Sequence, residues 1–251
     1  MKNLSVTPEG EYREVLNERL TLSMRQGAPV TTVDALLLAA FLPEHCGAAC
    51  ELGAGSGVIA LLAAARGKLS SALLIEREEA LYDLCRRNVR DNRLEDMLTV
   101  RCADLRELDD GGIFDTVFAN PPYRRANDGM PAANRLADVA RYERYGTIED
   151  FCRVGARMLS QGGRFCAVFP IRRRSELLRA IAEAGLSPEH EVTVYPYPGG
   201  TSKLMLLSAR KSACEHRRES FTLCREAGGE PTEAALRLYR EGILITEGET
   251  V

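Results

Sequence analysis

The chain has 251 residues, of which 45% are hydrophobic and 27% charged, and its formal net charge is −3. This is ordinary globular composition with ample material for a core, so an extensively disordered chain is excluded. A membrane span needs a long apolar run and a signal peptide needs an apolar stretch near the start; neither pattern is present, and the eight cysteines therefore read as reduced, cytosolic thiols.

The elements alternate along the chain. Residues 33–42 form a compact apolar helix, with Thr31 and Thr32 as candidate caps. Short apolar strands are predicted over 48–52, 73–76, 98–102, 114–119 and 164–169. Between and after them, apolar residues three and four apart predict helices over 58–65, 79–92, 148–159 and 176–184. Strand–helix alternation means a parallel sheet with helices on both faces, an α/β fold. Two later β-type runs, 191–197 and 204–209, flank Pro198-Gly199-Gly200 and predict an antiparallel pair closing the sheet edge. From Lys211 onward the chain is polar, with one apolar patch over 234–239. The expected organisation is an extension over 1–30, a catalytic domain over 31–211 and an appendage over 212–251. The segment 123–146 lacks apolar periodicity, and a loop of that length in a compact domain is usually functional.

Glu51-Leu52-Gly53-Ala54-Gly55-Ser56-Gly57 follows the first of these strands and opens a helix. Glycines there let the main chain approach a ligand and aim helix N-terminal amides at it. The spacing is neither the dinucleotide fingerprint nor the phosphate-binding P-loop. Glu51 would repel a pyrophosphate and suits a cationic ligand. Glu76 ends the second strand, where an acid can bind both hydroxyls of a ribose. Asp104 follows the third and is placed to accept from an adenine amine. Each acid alone also reads as a helix cap. Together they describe a ligand with a ribose, an adenine and positive charge: S-adenosylmethionine fits, and NAD fits badly.

The fourth strand ends in Asn120-Pro121-Pro122-Tyr123. Two prolines hold the main chain extended, contribute no N–H groups and leave carbonyls facing the cleft. The Asn120 side-chain oxygen and the Pro121 carbonyl can accept both hydrogens of a planar amine and free its lone pair to attack a methyl group. Tyr123 offers a face for stacking a planar base or amide. No metal is required.

With Ile75-Glu76-Arg77 added, these motifs resemble the class I S-adenosylmethionine-dependent methyltransferases that act on planar amines. The resemblance covers roughly residues 51–209. It implies a Rossmann-like seven-stranded sheet of order 3-2-1-4-5-7-6, with strand seven antiparallel. The stretch from Gln26 to Ala39, including Gly27, Thr32, Asp34, Leu37 and Leu38, resembles the lead-in of the bacterial tRNA-valine adenine-N6-methyltransferases. Ala28, Pro29 and Val30 stand where that family often carries a bulky or basic pair. Residues 232–241 resemble its closing segment. By this resemblance S-adenosylmethionine is the cofactor, held by Thr32, Asp34, Glu51, Gly53, Ala54, Gly55, Gly57, Glu76, Arg77, Asp104 and Asn120. The catalytic group is Asn120, Pro121, Pro122 and Tyr123, the substrate is an anticodon-loop adenine of tRNA, and the protein is cytoplasmic, a monomer or a homodimer.

Arg124, Arg125, Arg172, Arg173 and Arg174 fall at the carboxyl ends of strands, on the ligand side of a parallel sheet. They read as an RNA contact or as a solvated arginine-rich surface. A protein-glutamine methyltransferase of release factors shares the Asn-Pro-Pro-Tyr motif, but it carries a sizeable helical N-terminal domain, for which the thirty residues before the first helix here are too few. A DNA adenine methyltransferase needs a groove-reading domain, for which no segment is large enough. Another small-substrate or rRNA amino-methyltransferase and a non-catalytic RNA-binding module are the remaining alternatives.

Overall fold

The computed structural model describes residues 11–16, 20–25, 33–108, 113–125, 143 and 146–248. The chain starts with a hairpin, β1 (Glu11–Leu16) and β2 (Leu20–Arg25), followed by α1 (Val33–Phe41). Then β3 (Ala48–Leu52), α2 (Val58–Ala65), β4 (Ser71–Glu76), α3 (Glu79–Asp91), β5 (Leu98–Cys102) and β6 (Phe114–Ala119) alternate. After them come α4 (Ile148–Met158), β7 (Leu159–Pro170), α5 (Arg174–Glu183), β8 (Ser187–Tyr195) and β9 (Leu204–Arg210).

The sheet runs β5-β4-β3-β6-β7-β9-β8, with β9 antiparallel to both neighbours. This is the order that the motifs implied. The strand count is not seven, however. β10 (Arg217–Thr222) adds in parallel outside β8, and β11 (Glu247–Gly248) pairs antiparallel with β10, so the sheet has nine strands. The β8–β9 pair therefore does not close the edge. β10 reads Arg-Arg-Glu-Ser-Phe-Thr, and Phe221 is its only fully buried residue. One apolar anchor is too little for an alternating pattern, yet enough once β8 offers a ladder of main-chain partners. α6 (Glu233–Glu241), capped by Thr232 Oγ1 accepting from the Ala235 N–H at 3.0 Å, buries Ala235 and Leu238.

Two cores result, one on each face. α1, α2, α3, α6 and β2 pack on one face, around Leu37, Leu38, Leu61, Leu62 and Phe118. α4 and α5 pack on the other, around Phe151, Val154, Phe165 and Leu177. Thr147 and Asp150 exchange hydrogen bonds with each other's main-chain N–H, a capping box that starts α4.

The N-terminal hairpin was not anticipated as an element. Leu20, Leu22 and Met24 do alternate, and all three are buried. Their support is a pair of asparagines one helical turn apart. Asn92 accepts from the Thr21 N–H at 2.9 Å and donates to the Thr21 carbonyl at 2.8 Å. Asn88 does the same for Ser23, at 2.8 and 3.1 Å, and donates to the Ser56 carbonyl at 2.9 Å. Two amides at i and i+4, one on α3 and one at its C-cap, thus stand in for a neighbouring strand. Among the described residues, no helix is long and apolar enough to cross a membrane.

Candidate active site

The register of the sheet brings the motifs together. Leu52 pairs with both Ile75 and Ala119, so the glycine loop after β3, the acid ending β4 and Asn120 after β6 lie side by side at one end. Glu76 pairs with Cys102, which sets Asp104 just beyond the same edge.

The glycine loop is shaped by its own geometry. Gly55 has φ 57° and Gly57 has φ 79°, left-handed values that a side chain resists. A Cβ at Gly57 would lie 2.7 Å from Cys85 Sγ on α3, so this glycine allows close packing behind the loop. A Cβ at Gly55 would meet nothing within 4 Å, leaving open space for a ligand over the main chain. The loop is tied to β4 by the Ala54 N–H donating to the Ile75 carbonyl at 2.9 Å.

The three acids occupy different environments. Glu76 accepts from the N–H of Gly55 and the N–H of Glu78, each at 2.8 Å, and burial raises its pKa against those bonds. Glu51 is 1% exposed and accepts from the Ala60 N–H at 3.2 Å in the first turn of α2. Burial pushes it well above the usual carboxylate range. Asp104 is held low by its Arg106 partner, whose Nε and Nη2 lie 2.9 and 2.6 Å from its oxygens, and Arg77 Nε lies 3.1 Å away. Asp104 also caps a short 3-10 turn. All three acids therefore carry local bonds in addition to their place at the strand ends. Thr32 lies outside the described residues.

Asn120 is half-buried, and among the described residues its amide has no hydrogen-bond partner. Pro121 behind it is buried. Tyr123 is anchored at three points. Its hydroxyl donates to Asp34 Oδ2 at 2.6 Å, its ring meets Phe169 edge-on at 6.3 Å, and its carbonyl accepts from Arg172 and Arg173 at 3.5 and 3.4 Å. Burial, then the Asp34 charge, push the phenol well above its ordinary value.

The five arginines separate into two sets. Arg124, Arg125 and Arg172 are exposed beside the motif, with Arg125 paired to Glu176 at 2.7 Å. Arg173 is buried. It pairs with Glu143 and Glu176, both at 2.8 Å, and lies 5.0 Å over the Phe169 ring. Burial would lower its pKa, but the two carboxylates more than reverse this. Arg174 forks onto buried Glu191 at 2.6 and 2.9 Å, and His216 lies 3.3 Å from the same carboxylate. Arg173 is thus an interior ion-pair residue, and Arg174 a partly exposed one paired to a buried carboxylate, where the sequence read both as an RNA contact or a solvated surface. The Glu143 N–H donates to the Arg124 carbonyl at 2.8 Å. Sequence reasoning missed Glu143, because no local pattern marks a partner so far before Arg173; it also missed Glu176, whose i,i+3 spacing from Arg173 was the one local signal available.

A sheet in this order with one reversed strand, a glycine loop after β3 and acids at the next two strand ends define an S-adenosylmethionine-dependent methyltransferase. The site fits that cofactor on its own terms, with carboxylates for a hydroxyl-rich cation and open space above Gly55. The chain belongs to the methyltransferase small-domain family, which it matches over residues 30–181. A relative from Shewanella amazonensis named tRNA1(Val) (adenine(37)-N6)-methyltransferase is 28% identical, over 86% of this chain and 91% of its own. One of the same name from Parabacteroides distasonis is 27% identical, over 69% and 73%. A crystal structure of a predicted O-methyltransferase from Agrobacterium tumefaciens superposes with a TM-score of 0.66 at 23% identity, covering 84% of this chain and 97% of that one. Geranyl diphosphate C-methyltransferase from Streptomyces coelicolor, crystallised with S-adenosyl-L-homocysteine, gives 0.53 at 18% identity, over 72% and 77%.

Proposed function

We propose that this methyltransferase acts on the exocyclic N6 amine of an adenine in tRNA, an anticodon-loop adenine of tRNA-Val by similarity. The observation that carries the reading is Asn120, whose amide has no partner among the described residues and which two prolines hold beside the glycine loop. The names of the relatives support the substrate. Bound S-adenosylmethionine supplies an electrophilic methyl group on a sulfonium.

The residues of the chain do the rest. The main chain over Gly53, Ala54, Gly55 and Gly57 lines the cofactor, Glu76 takes the ribose hydroxyls, and Asp104, flanked by Arg77, takes the adenine amine. Glu51, on β3, supports the loop by accepting from the Ala60 N–H in the first turn of α2. Asn120 Oδ1 and the Pro121 carbonyl accept the two hydrogens of the target amine. That draws the amine nitrogen out of conjugation and aligns its lone pair. Pro122 keeps the carbonyls extended, and Tyr123 stacks the base. An adenine leaves its stack most cheaply from a single-stranded loop. Arg124, Arg125 and Arg172 are the cations placed to meet phosphates of such a loop.

The test supplies labelled cofactor with bulk tRNA, bulk rRNA and a release factor in parallel, with mass spectrometry of the products. N6-methyladenosine from tRNA is expected; label on a glutamine would replace this reading with the protein substrate. Within the same reading, Glu76→Ala should weaken cofactor binding by roughly 1.5–3 kcal/mol for each charged hydrogen bond lost. Glu76→Gln, which keeps one acceptor oxygen, should lose less. Calorimetry showing wild-type affinity for Glu76→Ala would remove Glu76 from the ribose site.

A further inference from the structure

We propose that Asp34 is a positioning residue for the amine-binding motif, fixing the ring of Tyr123 from helix α1 through the phenol hydroxyl. The proposal rests on the adenine-N6 reading above and deepens it.

The bond from Tyr123 to Asp34 Oδ2 is 2.6 Å long and joins residues 89 apart in sequence. A phenol donating to a carboxylate at that distance is a short, strong hydrogen bond. Its carboxylate end is well founded. Asp34 sits in the first turn of α1, where the helix dipole favours negative charge, and Ala35, Leu37, Leu38 and Ala39 behind it are buried. Its tyrosine end needs the anchor. The main chain of Tyr123 is held by the arginines at its carbonyl, and Phe169 meets its ring edge-on, an arrangement that limits rotation weakly. A stacking ring must hold one tilt to present a base at the angle that methyl transfer needs. A bond at the far tip of the ring fixes that tilt with the longest lever. This also accounts for an aspartate two residues after Thr32 in the lead-in: its role is exercised on the motif some ninety residues later. One carboxylate oxygen is committed to the phenol, which ties Asp34 to Tyr123 directly.

The test is a four-protein cycle of wild type, Asp34→Ala, Tyr123→Phe and the double variant. It measures kcat and KM for tRNA at saturating cofactor, together with S-adenosylhomocysteine affinity by calorimetry. Each single change should lower kcat by roughly 10- to 100-fold, the scale of a modest misplacement. The double variant should be no slower than the slower single variant, and S-adenosylhomocysteine affinity should stay at the wild-type value. Asp34→Asn, whose amide oxygen can still accept from the phenol, should recover most of the rate. Additive losses, or weakened S-adenosylhomocysteine binding with kcat intact, would overturn the proposal in favour of a cofactor ligand. If the wild type forms no N6-methyladenosine, the substrate reading fails separately, and the anchor is then judged by magnetic resonance of carbon-labelled tyrosine. The Tyr123 signal, assigned by its loss in Tyr123→Phe, should move in Asp34→Ala; an unmoved signal would rule the anchor out.

Discussion

Replacing Asn120 with alanine is expected to slow methyl transfer by roughly 10²-fold or more, the cost of removing one preorganised polar partner of the reacting group. The amine of adenine is a poor nucleophile because its lone pair is delocalised into the ring. The transition state therefore needs acceptors for the hydrogens of that amine, more than the ground state does. Only an interaction that strengthens at the transition state raises the rate. Asn120 suits the role. It follows β6 at the level where Leu52 pairs with Ala119, so it stands beside the glycine loop, and no described residue competes for its amide. An acid at this position would attract the sulfonium, whereas an amide does not. The fold should survive, since among the described residues the Asn120 side chain makes no hydrogen bond. Single-turnover assays should show the loss in the chemical step, with calorimetry reporting wild-type cofactor affinity. A wild-type rate in Asn120→Ala would exclude the mechanism.

Replacing Arg173 with methionine is expected to have the largest effect on stability, about 3–5 kcal/mol, because it strands the buried Glu143 carboxylate. The side chains of Arg173 and Glu143 are 7% and 6% exposed, and their 2.8 Å contact is one of three ionic and aromatic contacts at the guanidinium. Breaking a buried pair from one side leaves the other charge without water or partner. Glu143, whose pKa burial already raises, would then shift further towards its neutral form. Stability should thus fall most at neutral pH and less in acid, where Glu143 is protonated with or without its partner. Removing both ends together, as Arg173→Met with Glu143→Leu, should recover part of the loss. Urea unfolding at two pH values measures both effects. A single variant as stable as the wild type would show that the cluster has no net stabilising role. The same substitution removes one of the two donors to the Tyr123 carbonyl, so activity should fall as well.

Much of the fold was legible because its signals are local. Residues 48–52, 58–65, 98–102 and 114–119 coincide with β3, α2, β5 and β6, since each is a short apolar run or a three-and-four pattern bounded by turn residues. β10 and β11 were not legible: a polar strand at a sheet edge owes its conformation to the ladder beside it, and Phe221 alone gives no periodicity. β2 did carry an alternating signal in Leu20, Leu22 and Met24. What it packs on, however, is a pair of asparagine amides on α3 and at its C-cap, and the helical pattern there shows only that the helix exists.

The candidate site divides along the same line. Which chemistry is present is a matter of residue type and spacing, so Gly53 to Gly57, Glu76, Asp104 and Asn120 to Tyr123 could be picked out from the sequence and lie at one end of the sheet. What each charged group holds is a matter of contacts that residue spacing alone does not show, most of them between residues far apart in the chain. The tertiary structure therefore decided that Asp104 lies between Arg77 and Arg106, that Arg173 and Arg174 turn inward to Glu143 and Glu191, and that Asp34 reaches Tyr123. An arginine looks the same in sequence whether it faces solvent or a buried carboxylate. Only packing removes the water, and without that water the strength of an ion pair is set by the partner it meets.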